Sequence, residues 1–191
     1  MRDFDFARKL INGVAVKELD DNGNEQYAKA FPDAQLPEYQ TKTAACADFF
    51  CSEEITIPSV WKQLYKLFSA KFPWNKEDVE DFEFKPTLIH TGIKAHMNED
   101  EVLEIVNRSS GPKRGLILAN SIGEIDHDYA DNPSNDGEIM FAYYNIKPWD
   151  ITIKVGDRIG QGSFKKVLRP EKGLRVKDVE RTGGFGSTGK N

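Results

Sequence analysis

The chain has 191 residues, of which 39% are hydrophobic and 30% are charged, and this is enough for one domain with its own core. Its net charge of −5 argues against a general nucleic-acid-binding surface, and no apolar run approaches the roughly 18 residues of a membrane-spanning helix. The N-terminus lacks the apolar segment of a signal peptide, so we expect a cytoplasmic protein without a membrane or nucleic-acid partner.

The first 40 residues have the weakest pattern. Residues 6–16 are compatible with a short strand or a short helix, and residues 18–25 indicate a turn because they are rich in Asn, Gly and Asp. Residues 29–37 contain two prolines and predict extended chain. We assign residues 1–35 to an N-terminal extension without a predicted role.

Residues 41–51 surround one carboxylate, Asp48, with small side chains. Small side chains let the backbone approach a neighbour or a ligand closely, and tight strand packing around a surface aspartate is the alternative. Cys46 and Cys51 show neither a metal-binding nor a redox spacing, and their odd separation places them on opposite faces of a strand. We therefore expect two reduced thiols.

A helical period replaces the strand pattern after residue 58. Ser59 is a suitable N-cap and Pro73 a suitable end, and the apolar residues between them recur at helical spacing, namely Val60, Trp61, Leu64, Leu67 and Phe68. Because the flanking sequence has β character, we interpret residues 59–83 as an insertion. Its apolar face packs on its own domain in one interpretation, and it binds a regulatory protein in the other.

Strand patterns return from residue 87. Residues 87–97 alternate between apolar and polar side chains, and residues 102–106 form another candidate strand. Arg108 follows with a planar donor fork suited to phosphate, and Ser109 and Ser110 add hydroxyl donors. An exposed turn with a surface arginine is the alternative.

An apolar run at residues 116–119 predicts a buried strand, and Asn120 and Gly123 mark a turn before a second strand. The turn offers amide and backbone groups that can pair with a planar base. Asp126 can accept a proton from water, and Tyr129 offers a ring face to a sugar. The alternative is an ordinary β-hairpin whose loop reflects turn chemistry alone.

Residues 139–146 and 151–155 predict two further strands. In the segment that follows, Gln161 presents an amide that can donate to a phosphate oxygen, whereas Arg158 is interpreted as a structural ion-pair partner. Many short strands separated by turns predict an all-β barrel or jelly roll.

The C-terminal residues 181–191 contain too many glycines for a helix or an independent strand. Successive backbone N–H groups, together with the hydroxyls of Ser187 and Thr188, can wrap phosphates. Phe185 has no core to enter here, so we expect it to stack on a ligand. A disordered tail or linker is the alternative.

Five segments in this order resemble the motifs of the trimeric deoxyuridine triphosphatase (dUTPase) family. They are Ala-Cys-Ala-Asp48, Arg108-Ser-Ser, Asn120-Ser-Ile-Gly-Glu-Ile-Asp-His-Asp-Tyr129, Gly156-Asp-Arg-Ile-Gly-Gln161 and Gly183-Gly-Phe-Gly-Ser-Thr-Gly189. The resemblance is to bacterial and bacteriophage members and covers residues 36–191 apart from insertions. A dCTP deaminase of the same fold is the alternative.

The resemblance implies an all-β jelly roll, or distorted β-barrel, over residues 36–180, with the helical insertion at residues 59–83. It implies a homotrimer with shared active sites, each closed by the flexible C-terminal arm, residues 181–191, of a neighbouring subunit. The implied reaction is hydrolysis of dUTP to dUMP and pyrophosphate by attack of water on the α-phosphate, with Mg2+ bound to the triphosphate. This reaction lowers dUTP, prevents uracil incorporation into DNA and supplies dUMP for dTMP synthesis.

By the same resemblance, Asp126 orients and activates the attacking water, while Arg108 and Gln161 contact phosphates. Asp48 holds the metal ion through its water shell. The implied substrate-binding residues are Ser109, Ser110, Asn120, Gly123, Ile125, Tyr129, Arg181, Phe185, Gly186, Ser187, Thr188 and Gly189.

Within this set, the resemblance implies that Asn120 and the backbone through Gly123 pair with uracil, and that Tyr129 packs under the deoxyribose and excludes a 2′-hydroxyl. The sequence also departs from the family pattern. Residues 131–136 lengthen the segment after Tyr129, Cys46 stands where glycine is usual, and Arg181 lies closer to the arm's aromatic residue than is usual.

Overall fold

Short β-strands joined by turns dominate the secondary structure of residues 2–70 and 83–172, the parts of the chain that this computed structural model describes. In chain order the strands are β1 (Asp3–Phe6), β2 (Leu10–Ile11), β3 (Val14–Ala15), β4 (Lys17–Leu19), β5 (Glu25–Tyr27), β6 (Ala47–Phe50), β7 (Ile55–Ile57), β8 (Thr87–His90), β9 (Ile93–His96), β10 (Glu101–Asn107), β11 (Leu116–Leu118), β12 (Ile122–Asp126), β13 (Met140–Asn145), β14 (Ile151–Ile153) and β15 (Arg158–Lys166). Helix α1 (Val60–Ala70) follows β7, helix α2 (Gly111–Arg114) follows β10, and a 3-10 turn (His127–Tyr129) follows β12. None of the helices in these two ranges is long and apolar enough to span a membrane.

The two larger sheets are antiparallel and contribute to one core. The first has the strand order β12-β10-β15-β6, and the second has the order β11-β13-β8. Phe49 of the first sheet packs against Phe141 of the second, with ring centroids 5.6 Å apart. The smaller pairs are β1-β9, β14-β7, β2-β3 and β4-β5. The predicted all-β jelly-roll class with a short helical segment is therefore confirmed.

Gly160 in β15 permits the close contact between the two larger sheets. A Cβ atom at this position would lie 1.9 Å from Cε1 of Phe141, which is far inside any van der Waals contact. The strand therefore needs glycine where the aromatic ring of the facing sheet crosses it.

The N-terminal residues belong to the core, which corrects the domain boundary predicted after residue 35. Strand β1 pairs with β9 along its whole length, and Phe4 and Phe6 pack against the buried cluster. The ring of Phe4 lies 5.4 Å from that of Phe49, edge to face. Residues 3–6 are therefore part of the β domain and not an extension to it.

Residues 10–15 form the hairpin of β2 and β3. Asn12 and Gly13 at its tip both have positive φ, 52° and 77°, which is the backbone conformation that an Asn-Gly hairpin turn requires. Of the two structures predicted for residues 6–16, the strand is therefore correct. The Asn12-Gly13 pair in the sequence favours this hairpin over a helix.

Helix α1 begins where the sequence predicts. The backbone N–H of Trp61 donates to Oγ of Ser59 at 3.2 Å, so Ser59 is the N-cap. The Trp61 indole donates to the carbonyl of Ile146 at 3.1 Å, which fixes the helix to the segment after β13. The predicted end of the helix at Pro73 lies outside the described residues.

The alternating segment at residues 87–97 is two strands and not one. Gly92, at φ 68°, separates β8 from β9, and these strands lie in different sheets. Both strands contribute apolar side chains to the same core. The alternation therefore continues across the break, and periodicity alone cannot locate it.

Both cysteines are free, as predicted. The Cys51 thiol is buried and donates to the carbonyl of Glu53 at 2.8 Å. Burial raises the pKa of this thiol, so it stays protonated and acts as a small apolar core residue.

Candidate active site

Asn120 and Gly123 lie in a tight turn that carries the chain from one sheet to the other. Strand β11 pairs with β13, whereas β12 pairs with β10, so this turn is not the ordinary hairpin of the alternative interpretation. Ser121 has φ 62°, and the N–H of Ile122 donates to the Asn120 carbonyl at 2.6 Å. A Cβ atom on Gly123 would lie 2.6 Å from Cγ1 of Ile105 and 3.3 Å from Nδ2 of Asn120. Glycine therefore lets β12 pack closely against Ile105, with the Asn120 amide beside its backbone.

Asp126 ends β12, and residues 127–129 form a 3-10 turn. The second strand predicted after the turn therefore ends at Asp126, before Tyr129. Tyr129 is only 4% exposed, and its phenol donates to the carbonyl of Glu138 at 3.1 Å. A ring held in this way can form the floor of a pocket but cannot act as an exposed stacking platform. The side chain of Ile125 packs against the core.

A second group of predicted residues surrounds Asp48 on β6. Nε of Arg108 donates to one carboxylate oxygen at 3.1 Å, and Nη1 of Arg158 donates to the other at 3.2 Å. Gln161 on β15 is the residue directly opposite Asp48 in the ladder. Arg108 also donates to Oγ of Ser110 at 3.4 Å. The interpretation of Arg158 as a structural ion-pair partner is confirmed.

The Arg108 segment reaches this position because the chain turns sharply after β10. A Cβ atom on Gly111 would lie 1.9 Å from Oδ1 of Asn107, so only glycine permits helix α2 to begin there. The Asn107 amide donates to the carbonyl of Leu116 at 2.8 Å and closes the loop. Ser109 at its tip is exposed, which leaves its hydroxyl accessible to a ligand.

Asp126 lies at the opposite end of β10 from Gln161 and Arg108, whereas Gly123, opposite Ile105, lies near the Gln161 end. Gln161 is opposite Val106, near the end of β10, and Asp126 is opposite Val102, near its start. At about 3.3 Å per residue, these two levels are roughly 13 Å apart along the strands. Strand β10 also lies between β12 and β15. One protomer therefore does not bring Asp126 together with Gln161 and Arg108.

Comparison with known proteins identifies the family. A family model described as dUTPase matches residues 75–189, which is more than half of the chain. The chain belongs to the dUTPase family. The deoxyuridine 5'-triphosphate nucleotidohydrolase of Lactococcus lactis subsp. lactis is 44% identical over 117 residues, which are 59% of this chain and 78% of that protein. The enzyme of the same name from Hydrogenobaculum sp. is 32% identical over 162 residues, 82% of this chain and 92% of that protein.

Solved dUTPase structures have the same fold as this family member. The crystal structure of dUTPase from Streptococcus mutans is 30% identical, with a TM-score of 0.58 over 74% of this chain and 96% of that chain. The dUTPase from phage phi11 of S. aureus, in a structure that visualises its species-specific insert, is 17% identical with a TM-score of 0.53. At this lower identity the likeness concerns the fold alone.

The donor set of this dUTPase-family chain fits a magnesium ion held through water and phosphate. In the two described ranges no three His, Cys, Asp or Glu side chains are grouped to hold a metal ion, and Asp48 already accepts bonds from two arginines. Mg2+ commonly keeps several waters and is bound through one or two carboxylates together with substrate phosphates. Asp48 is suited to such an indirect contact, and its role stays a prediction.

Two residues beside the predicted site of this dUTPase-family chain were not predicted from its sequence. Asn135 donates to the Tyr129 phenol oxygen at 2.9 Å, and Arg8 pairs with the buried Asp136. Asn135 lies in residues 131–136, which lengthen the segment after Tyr129, and Arg8 lies in residues 1–35, which were predicted to form an N-terminal extension. The closely spaced Asn, Ser and Asp residues of the loop were the available signal, because such side chains favour hydrogen-bonded turns.

The arm residues of the predicted dUTPase site lie outside the described residues. They are Arg181, Phe185, Gly186, Ser187, Thr188 and Gly189. Their contacts with substrate therefore stay predictions.

Proposed function

We propose that this chain is a dUTP diphosphatase that hydrolyses dUTP to dUMP and pyrophosphate through attack of water on the α-phosphate. Relatives named deoxyuridine 5'-triphosphate nucleotidohydrolase, at 44% and 32% identity, support this reaction. The observation that carries the proposal is the contact of Asp48 with Arg108 and its cross-strand pairing with Gln161. It is joined by the turn that brings Asn120 beside Gly123 and by the carboxylate of Asp126 at the end of β12. The reaction lowers dUTP and supplies dUMP for dTMP synthesis.

The nucleoside binds at the turn after β11. The exposed Asn120 amide and the backbone through Gly123 pair with uracil. A base that covers this amide without pairing with it binds unfavourably. Tyr129 forms the floor under the deoxyribose. Asp126, at the end of β12, accepts the proton of the attacking water and orients it toward phosphorus.

The phosphates bind at the Asp48 end of the sheet. Arg108 presents a guanidinium whose orientation is set by Asp48, and the exposed hydroxyl of Ser109 and the amide of Gln161 supply neutral donors. Phosphoryl transfer depends mainly on such positioning and on stabilising charge. Asp48 would hold Mg2+ through its water shell, and the bound ion would supply positive charge to the phosphate oxygens.

The active site forms between subunits of a homotrimer. The separation of Asp126 from Arg108 and Gln161 along β10 supports this assembly, because these residues must meet at one substrate. Asp126 of one protomer then faces Arg108 and Gln161 of its neighbour, and the arm, residues 181–191, of another protomer closes over the site.

A nucleotide panel tests the proposed reaction. We expect release of pyrophosphate from dUTP, with kcat/KM at least about 100-fold lower for UTP, dCTP and dTTP. EDTA should abolish turnover, and added Mg2+ should restore it. Release of ammonia from dCTP would instead identify the same-fold deaminase, and a folded protein that cleaves none of these nucleotides would refute the proposal.

A second proposed role is the binding of a regulatory protein by the insertion, residues 59–83. Tyr65 on α1 is 72% exposed, and an apolar groove beside the helix is lined by Val60, Phe84, Ile117, Tyr144 and Ile146. Deleting residues 60–83 distinguishes the two interpretations of the helix. A trimer with normal dUTP turnover and a lost partner supports the regulatory role, whereas an aggregated product supports packing on the protein's own domain.

A further inference from the structure

The loop of residues 130–137, between the 3-10 turn and β13, is closed by its own side chains. The Asn132 amide donates to the carbonyl of Tyr129 at 2.9 Å, and its oxygen accepts the N–H of Ser134 at 3.0 Å. The N–H of Asp136 returns to the Asn132 carbonyl at 2.9 Å. These bonds give the loop a defined conformation and fix the position of Asn135 within it.

Asn135 reaches the phenol of Tyr129 from this loop. Its Nδ2 donates to the Tyr129 oxygen at 2.9 Å and to the Glu138 carbonyl at 3.2 Å. The Tyr129 hydroxyl donates to the same carbonyl. The phenol oxygen is therefore held between one donor and one acceptor, and both hold the aromatic ring in place.

The far side of the loop is anchored to the N-terminal segment and to β9. Asp136 is 1% exposed, and it accepts the backbone N–H of Arg8 at 2.7 Å and Nε of Arg8 at 2.8 Å. The buried Lys94 donates to the same carboxylate at 3.0 Å. Because a buried carboxylate needs such partners, the loop is fixed on this side as well, and Asn135 cannot drift away from the phenol.

We propose that Asn135 is a positioning residue that fixes the Tyr129 ring and thereby sets the discrimination of dUTP from UTP. The proposal rests on the proposed function. A ring that packs under the sugar excludes a 2′-hydroxyl only while its position is fixed, because a small shift opens the space that the hydroxyl needs. The loop of residues 130–137 then acts on specificity without contacting the nucleotide.

The test is a double-mutant cycle with Asn135→Ala and Tyr129→Phe, in which kcat/KM is measured for dUTP and for UTP. Tyr129→Phe keeps the ring and leaves the Glu138 carbonyl paired with Asn135, so it preserves the packing. We expect each single change to lower the dUTP to UTP ratio by about tenfold, the effect of one net hydrogen bond. If Asn135 acts through the phenol, the double variant should show no further loss.

Ser134→Ala is the matched control. The Ser134 hydroxyl donates to the side-chain oxygen of Asn132 in the same loop, so the dUTP to UTP ratio of Ser134→Ala should stay within about twofold of wild type. Ratios that stay unchanged in Asn135→Ala, or that fall multiplicatively in the double variant, would overturn the proposal. Calorimetric binding of dUMP and UMP separates the two claims. If the wild-type protein binds neither nucleotide, the proposed function is refuted. If wild type and Asn135→Ala prefer dUMP over UMP by the same factor, only this inference is refuted.

Discussion

Two inactive variants should restore each other's activity if the active site is shared between protomers. Asp126→Asn removes the carboxylate at the end of β12 and keeps the shape of the side chain. Arg108→Gln removes a positive charge and keeps an N–H donor for Asp48, which Arg158 also holds at 3.2 Å. We expect each variant alone to lose about 100-fold or more in kcat, while Asp126→Asn still binds dUTP.

The size of the recovery follows from the geometry. Asp126 and Arg108 belong to opposite ends of the first sheet, with roughly 13 Å between their levels. An intact site therefore needs Asp126 from one protomer and Arg108 from its neighbour. A trimer that contains both variants has about one intact site in three, because only one of its three interfaces joins an intact Asp126 to an intact Arg108. This fraction is the same at a mixing ratio of one to one and of one to three.

The assay is pyrophosphate release from dUTP by oligomers co-expressed with two affinity tags and purified through both. Oligomers of each variant alone, mixed after purification without subunit exchange, provide the control and should stay inactive. No recovery in oligomers that contain both tags would refute the shared site. Activity well above about one third of wild type would also contradict it, because the site would then tolerate one of the two losses.

Three further predictions concern two substitutions and one truncation. Gly160→Ala should destabilise the fold by about 3 kcal/mol, because its Cβ overlaps the Phe141 ring, whereas Ser163→Ala on the same strand should shift the urea midpoint little. The hydrogen bond with Glu138, at 3.0 Å, raises the pKa of His90 above 6.5. The stabilisation from protonated His90 is therefore complete below pH 6.5 and is lost as the pH rises through the raised pKa. Between pH 6 and 9, wild type should lose more stability than His90→Gln. Urea midpoints that change with pH in parallel for the two proteins would contradict this. Truncation after Glu180 should abolish turnover and leave the thermal midpoint unchanged, and full activity in the truncated chain would refute the role of the arm.

Local patterns predicted those parts of the fold that local interactions determine. The N-cap at Ser59 and the start of α1 are decided within one helical turn. The alternation in residues 151–155 predicted β14 in the same way. The pairing of β1 with β9 depends instead on residues about ninety positions apart, and no periodicity within residues 1–35 reports it.

The candidate site likewise contains residues that are close in sequence and contacts that only the fold creates. Asn120, Gly123 and Asp126 are close in sequence, and their chemistry was predicted from the order of residues alone. The partners of Asp48 lie 60 and 110 residues away, so only the fold shows that one carboxylate holds two arginines. No local pattern indicated Asn135, because its bond to the Tyr129 phenol depends on the fold of the loop that contains it.

The cluster of Asp48 with its two arginines has too little positive charge to balance a triphosphate. Two guanidinium groups pair with one carboxylate, so the cluster contributes one net positive charge in a chain whose net charge is −5. A triphosphate carries several negative charges, so this cluster cannot balance it alone. We therefore expect the missing positive charge to come from the proposed Mg2+ and from Arg181 of the arm. The pairing also has a second effect, because a guanidinium held by a buried carboxylate has lost much of its rotamer freedom before the substrate binds.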